Sequence, residues 1–366
     1  MKSRSQTRSL KVGSLPIGGG APVSVQTMAN IDPRDAAALS AQILRCAELG
    51  CDLYRMTVPD VQAAEVLGVV RKTSPIPIVA DIHFDHRCAL AAIQAGADAL
   101  RLNPGNIGAR DRVQAVARAA KAKGVPIRIG VNLGSLQKDL REELEAGRIG
   151  VPEALVRSAL GQLKLLEDEG LDACVISAKA SNVADTLATY RLLAERTDCP
   201  LHLGVTEAGT FLPGAVRSSV ALGVLLSEGI GDTIRVSLTD RPENEVRVGM
   251  EILRSLGLRP QGPAITSCPT CGRTKVDLVR VATAVENALE ARFNRAVRRT
   301  DGLRSPFPRV AVMGCVVNGP GEAKGADVAL CGGTGEFVLY VRGKQVCKVS
   351  EADAVSKVME YVDSLR

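Results

Sequence analysis

Cys268-Pro269-Thr270-Cys271-Gly272 forms a CxxC knuckle, a tight turn that aims two sulfurs at one metal. A zinc ribbon needs a second knuckle, and this chain has none. Instead, Gly314-Cys315 closes a buried apolar run, followed by Val316-Val317-Asn318-Gly319-Pro320-Gly321-Glu322. Three thiolates and a carboxylate fit an iron–sulfur cluster with one exchangeable iron, because a hard carboxylate is a weak ligand on a soft site. A structural zinc on the three cysteines fits the same spacing, so both metals stay open at this point. Cys46, Cys51, Cys88 and Cys174 sit in apolar patterns and read as small core residues. Cys199 precedes a strand, and Cys331 and Cys347 lack ligand spacing.

A second set of residues is cationic. Arg55, Arg101, Arg128, Lys179 and Arg235 each fall at or near the end of a β-branched apolar run. Like charges gathered in one buried place are costly unless an anion joins them. The planar fork of Arg suits phosphate oxygens, and Lys supplies a point charge. A ligand with two phosphates therefore suits the five together. The plainer reading pairs each with a neighbouring acid, but Asp81 and Glu207 are too few for that. Glu207 reads as either a general acid or hydroxyl anchor, or an ion-pair partner. His202 reads as a core histidine, and His86 as the start of a helix.

These residues need a scaffold that gathers strand ends. Strand patterns fall at 22–28, 52–58, 77–84, 99–103, 127–132, 173–178, 201–206 and 232–237, with amphipathic helical stretches between them. One such stretch opens on Asp32-Pro33, a cap and first-turn pair, and closes on Gly50. Eight strand–helix units predict a (β/α)₈ TIM-type barrel over residues 1–257, whose chemistry gathers at the carboxyl ends of the strands. A doubly wound sheet is the alternative, but no GxGxxG follows the first strand. The Gly- and Pro-rich segment 255–262 reads as a linker. Residues 262–366 then predict a smaller α/β domain, with a long helix over 276–293, a hairpin turning at Arg342-Gly343-Lys344, and a last helix opening at Ser350 and Asp353.

Composition excludes several functions. Aromatic residues are 2% of the 366, with no Trp, so base-stacking platforms are lacking. The net charge of +6 is mild, and no basic block marks nucleic-acid binding. The N-terminus lacks the apolar stretch of a signal peptide, and no run reaches membrane-spanning length, so a cytoplasmic protein is expected. Ten cysteines in that compartment point to metal or redox chemistry rather than a disulfide framework.

The segments VSVQTMAN, YRMTVP, VADIHF, LRLNPGNIG, IRIGVNLGSL, HLGVTEAG, GDTIRVSL, SCPTCGR and MGCVVNGPGEAKGADV together resemble the bacterial 4-hydroxy-3-methylbut-2-en-1-yl diphosphate synthase family over about residues 8 to 350. Departures are confined to Thr27, Ala29 and Leu133. The resemblance implies reductive ring opening of 2-C-methyl-D-erythritol 2,4-cyclodiphosphate, in the methylerythritol phosphate route to isoprenoids. It implies a [4Fe–4S] cluster on Cys268, Cys271, Cys315 and Glu322. It places Arg55, Arg101, Arg128, Lys179 and Arg235 on the diphosphate, with Asp81, Asn132, Ser237 and Glu207 around the reacting carbons. Electrons are then expected from flavodoxin or ferredoxin, and a head-to-tail homodimer is expected. Two rivals remain at this stage: a phosphate-binding barrel of the pterin-synthase or aldolase sort with a zinc knuckle, and a non-enzymatic cluster sensor.

Overall fold

The structure, a computed structural model, describes residues 3–108, 110–259, 265–299, 307–317 and 319–365; within these, the side chains at 104, 105, 294–299 and 322 are not described. The chain divides into two compact units, Met1–Arg259 and Pro260–Arg366. The predicted linker overlaps a helix that runs to Ser255, and its residues 260–262 lie outside the described residues. No described helix is long and apolar enough to cross a membrane.

The first unit opens with a short antiparallel hairpin, β1 (Leu10–Val12) and β2 (Leu15–Ile17). Eight parallel strands follow: β3 (Ser24–Met28), β4 (Leu53–Thr57), β5 (Ile78–Asp81), β6 (Ala99–Leu102), β7 (Ile127–Val131), β8 (Cys174–Ala178), β9 (His202–Leu203) and β10 (Thr233–Ile234). Their order is β8-β7-β6-β5-β4-β3-β10-β9, and a parallel bridge between Ile176 and Leu201 joins the two ends into a barrel. The predicted (β/α)₈ architecture is therefore present. β9 is shorter than its apolar run suggests: beyond Leu203 the chain leaves β10, and the Thr206 amide donates to the Ala180 carbonyl beside β8. The first barrel helix, Ala36–Glu48, is capped by Asp35, whose carboxylate accepts the Ala38 amide, and not by the Asp32-Pro33 pair. Asp32 instead accepts the Arg34 amide in the preceding turn.

Side chains alternate along each strand. One row, including Val25, Tyr54, Met56, Ile78, Leu100, Ile127 and Ile176, packs outward against the helices as the main core. The other row faces the barrel interior and changes character from bottom to top. At the amino ends, Leu53, Val79, Ala99 and Val175 meet Leu10, Val12 and Ile17 of the hairpin, which plugs the barrel floor. Above that apolar layer the inward residues are polar and charged.

The second unit holds a five-stranded sheet: β11 (Ile265–Ser267), β12 (Val310–Met313), β13 (Val328–Gly332), β14 (Glu336–Val341) and β15 (Lys344–Ser350), in chain order. β11, β12 and β13 are parallel, and the last two strands form the predicted hairpin, with Arg342 and Gly343 at positive φ in its turn. Val310, Val312, Val328 and Leu330 pack on one face against the helices Leu278–Arg299 and Ala354–Ser364. Ala311, Met313, Ala329 and Cys331 pack on the other face with Ala323 and Ala326.

Candidate active site

The barrel mouth holds a cavity of about 440 Å³. All five predicted cations line it, with Asp81, Asn132 and Ser237. Strand register explains the convergence. Asp81, Arg101 and Arg128 lie in register on β5, β6 and β7, so their side chains share one inward layer. Arg101 sends Nη1 to Asp81 Oδ1 at 3.1 Å, and Arg55 places Nε 3.6 Å from Asp81 Oδ2. Arg55 also lies against Met28, with Nη2 2.6 Å from Sδ.

The remaining cations are treated unequally. Arg235 is held by Glu245 on the helix Pro242–Ser255, with Nε at 3.1 Å and Nη2 at 2.9 Å. Glu245 was not legible as a partner in the sequence, and its pairing corrects the expectation that only Asp81 and Glu207 face the cations. Arg128 donates to neutral acceptors, Ser177 Oγ at 2.8 Å and Gln26 Oε1 at 3.3 Å, and its buried Nε has no partner. Among the described residues no carboxylate pairs with Arg128 or Lys179. Among the described residues, five basic side chains share two carboxylates, Asp81 and Glu245.

That imbalance is written into the protonation of the site. Burial pushes Arg128 well down, and Arg55 and Arg101 add to it against Asp81. Burial likewise holds Lys179 well below its ordinary value, with Arg235, Arg128 and Arg55 adding to the effect. Arg55 is pushed down to about 10 by burial, despite Asp81 beside it. Burial alone would raise the Asp81 carboxyl, but Arg55, then Arg101, His83 and Arg128 bring it below its usual value. His202 is fully buried, its imidazole held well down by burial and the surrounding cations, with Nδ1 3.3 Å from Thr233 Oγ1.

Two glycines make room for these groups. A Cβ on Gly130 would stand 2.3 Å from Arg101 Nε, and one on Gly204 would stand 2.6 Å from both Lys179 Nζ and the Arg235 carbonyl oxygen. The cavity also gathers Met28, His83, Asn103, Asn106, Ser135 and Thr206. Most of these lie at or just beyond the end of a predicted strand, whereas Ser135 lies in a short 3₁₀ turn that the sequence does not announce. Glu207 does not line the cavity. It is exposed, in a turn directly after Thr206, with φ of 53°.

In the second unit the thiols gather by topology. Cys268 follows β11, Gly314-Cys315 follows β12, and Cys331 lies in register with Met313 near the end of β13. Three parallel strands thus deliver sulfurs to one sheet edge. The Gly314 amide donates to Cys268 Sγ at 3.2 Å, an interaction that suits a thiolate ligand. Cys271 is exposed, and hydrogen bonds from the Arg273 backbone and side chain lower its thiol. Cys331 is buried, and burial, with Cys315 and Cys268 beside it, pushes its thiol up to about 11. Among the described residues no three His, Cys, Asp or Glu side chains stand at metal-binding separation. The soft donor set at one strand edge fits a thiolate-bound iron–sulfur group. Residue 322 ends the short helix Gly319–Glu322, and the expectation for its carboxylate lies outside the described side chains.

Comparison with known proteins covers both units. A family model described as the GcpE TIM-barrel domain matches residues 7–250, and one described as the GcpE protein C-terminal domain matches residues 264–364. A 4-hydroxy-3-methylbut-2-en-1-yl diphosphate synthase (flavodoxin) of Geobacter sulfurreducens is 51% identical over 364 residues, 99% of this chain and 98% of the relative. Its namesake from Clostridium acetobutylicum is 49% identical over 362 residues, 99% of each chain. A third, from Maridesulfovibrio salexigens, is 52% identical over 349 residues, 95% of this chain and 93% of the relative.

Proposed function

The chain belongs to the GcpE family, and on that premise we propose that it converts 2-C-methyl-D-erythritol 2,4-cyclodiphosphate to (E)-4-hydroxy-3-methylbut-2-enyl diphosphate. Two electrons and two protons are consumed, a ring C–O bond opens, and one water leaves. The observation that carries this reading is the cationic excess of the barrel mouth. Two ionised phosphates would supply the counter-charge that Arg128 and Lys179 lack.

Arg55, Arg101, Arg128, Lys179 and Arg235 bind and orient the diphosphate. Asp81 fixes Arg55 and Arg101, and Asn132 and Ser237, which line the same cavity, would lie around the reacting carbons. Glu207, beside Thr206 at the rim, is the candidate proton donor. Its left-handed backbone is a costly conformation of the kind found at functional turns. Cys268, Cys271 and Cys315 would hold a [4Fe–4S] cluster, with Glu322 as a weak fourth ligand; the cluster supplies electrons one at a time. The electron donor is flavodoxin, after which the relatives are named.

A head-to-tail homodimer completes the reading. Phe84, Leu133, Phe211 and Leu212 are exposed after the carboxyl ends of barrel strands, and Val316 and Val317 are exposed beside Cys315. Exposed apolar surface of this kind favours association between copies.

Anaerobic purification tests the metal assignment. The expected protein is brown, absorbs near ~400 nm and carries about four irons per chain, and Cys271→Ser loses the colour. One zinc per chain without iron would overturn it.

A further inference from the structure

Electron delivery needs a surface as well as a cluster. Three segments follow the ends of β11, β12 and β13: 268–276, 314–326 (described except at 318) and 333–335. They are tied together there. The Gly335 amide donates to the Lys275 carbonyl at 3.3 Å, and a Cβ on Gly332 would stand 2.7 Å from the Gly314 carbonyl oxygen. Ala323 packs in the cluster of side chains that includes Cys331 and touches Cys268. The charged residues of these loops are Arg273, Lys275 and Lys324, against one carboxylate, Glu322.

Lys275 and Lys324 are exposed, and Cys271, in the same segment as Lys275, is the exposed thiol of the proposed ligand set. The described acids that flank these segments are engaged by other cations: Asp277 and Glu351 with Arg280, Asp327 with Arg309, and Glu336 with Lys348. They do not neutralise the edge. With Glu322 taken as a ligand, the charges left on these segments are positive.

We propose that this basic edge is the docking surface for an acidic flavodoxin, with Lys275 and Lys324 steering it onto the Cys271 side of the cluster. The inference rests on the proposed function for the presence of the cluster at this edge. Opposite charges at a rim raise the association rate and weaken with salt, without entering the chemistry.

The test uses the full-length holoenzyme and the double variant Lys275→Glu/Lys324→Glu, assayed with reduced flavodoxin and separately with dithionite. The KM for flavodoxin should rise about tenfold or more in the variant. Iron content and dithionite-driven turnover should stay at the wild-type level, and the wild-type KM for flavodoxin should climb with ionic strength. An unchanged KM for flavodoxin overturns the inference. So does a parallel fall in both assays with loss of iron, because the lysines would then serve the cluster itself. Direct titration of flavodoxin onto both proteins at low salt reads docking independently of turnover: tighter binding by the wild type supports the inference, and equal binding overturns it. Absence of dithionite-driven turnover in the wild type would count against the proposed function instead.

Discussion

The guanidinium of Arg235 is clamped by both carboxylate oxygens of Glu245, at 3.1 and 2.9 Å, in a place where the acid is 3% exposed. Glu245 also accepts the Thr27 hydroxyl at 2.7 Å and the Leu238 amide at 3.1 Å, so one carboxylate ties β3, β10 and the following helix together. Removing one partner of a buried pair costs about 3 kcal/mol, because the other charge is left alone. Glu245→Ala is therefore expected to lose about that much stability in chemical denaturation. Pyrophosphate should restore more of the variant's stability than it adds to the wild type, since the anion can take the place of the carboxylate. Equal stability of the two proteins would show that the clamp is idle.

Gly130→Ala tests the packing of the cationic layer. The added Cβ would meet the mobile end of Arg101, 2.3 Å from Nε, so the fold should survive while the guanidinium leaves Asp81. A charge-assisted hydrogen bond contributes about 1.5–3 kcal/mol, so the KM for the cyclic diphosphate should rise about ten- to a hundredfold. A wild-type KM would remove Arg101 from the binding set.

Much of this was legible in the chain. The eight barrel strands stand out as β-branched runs at intervals along the chain, and the cations stand out because each interrupts or directly follows such a run. The clamp by Glu245 was hidden, because its helix position meets Arg235 only after the chain turns back. The floor hairpin was hidden too: strands of three residues around Gly13 carry too little periodicity to be seen. Cys331 has no ligand spacing, and its place beside Cys315 and Cys268 follows only from the register of β12 on β13. The start of the first helix was misplaced because Asp32 and Asp35 both have capping chemistry, and only the backbone distinguishes them.

Lys179 gives the site a pH signature. Its folded value lies well below the ordinary 10.5, so between the two the unfolded chain holds a proton that the folded, ligand-free chain lacks. Stability of the ligand-free protein should therefore rise with pH across that window. A bound diphosphate favours the ammonium, so binding there should take up a proton. Calorimetric titration with pyrophosphate in buffers of different ionisation enthalpy should read that uptake, and Lys179→Met should abolish it. Binding without proton uptake would contradict the lowered value.

Glu207→Gln separates proton delivery from assembly. The exposed side chain contributes little to packing, so iron content and substrate binding should be retained while turnover collapses. A general acid is worth roughly a hundred- to ten-thousandfold in rate. Near-normal turnover would remove Glu207 from the mechanism and leave its left-handed turn as a structural feature.

The most direct measurement is an anaerobic assay of the iron-loaded protein with 2-C-methyl-D-erythritol 2,4-cyclodiphosphate and dithionite, following the linear product and the electrons consumed. The predicted result is formation of (E)-4-hydroxy-3-methylbut-2-enyl diphosphate with about two electrons taken up per molecule, lost when Cys271 is replaced by Ser. Protein with its full iron content that binds the cyclic diphosphate and leaves it unchanged would contradict the account.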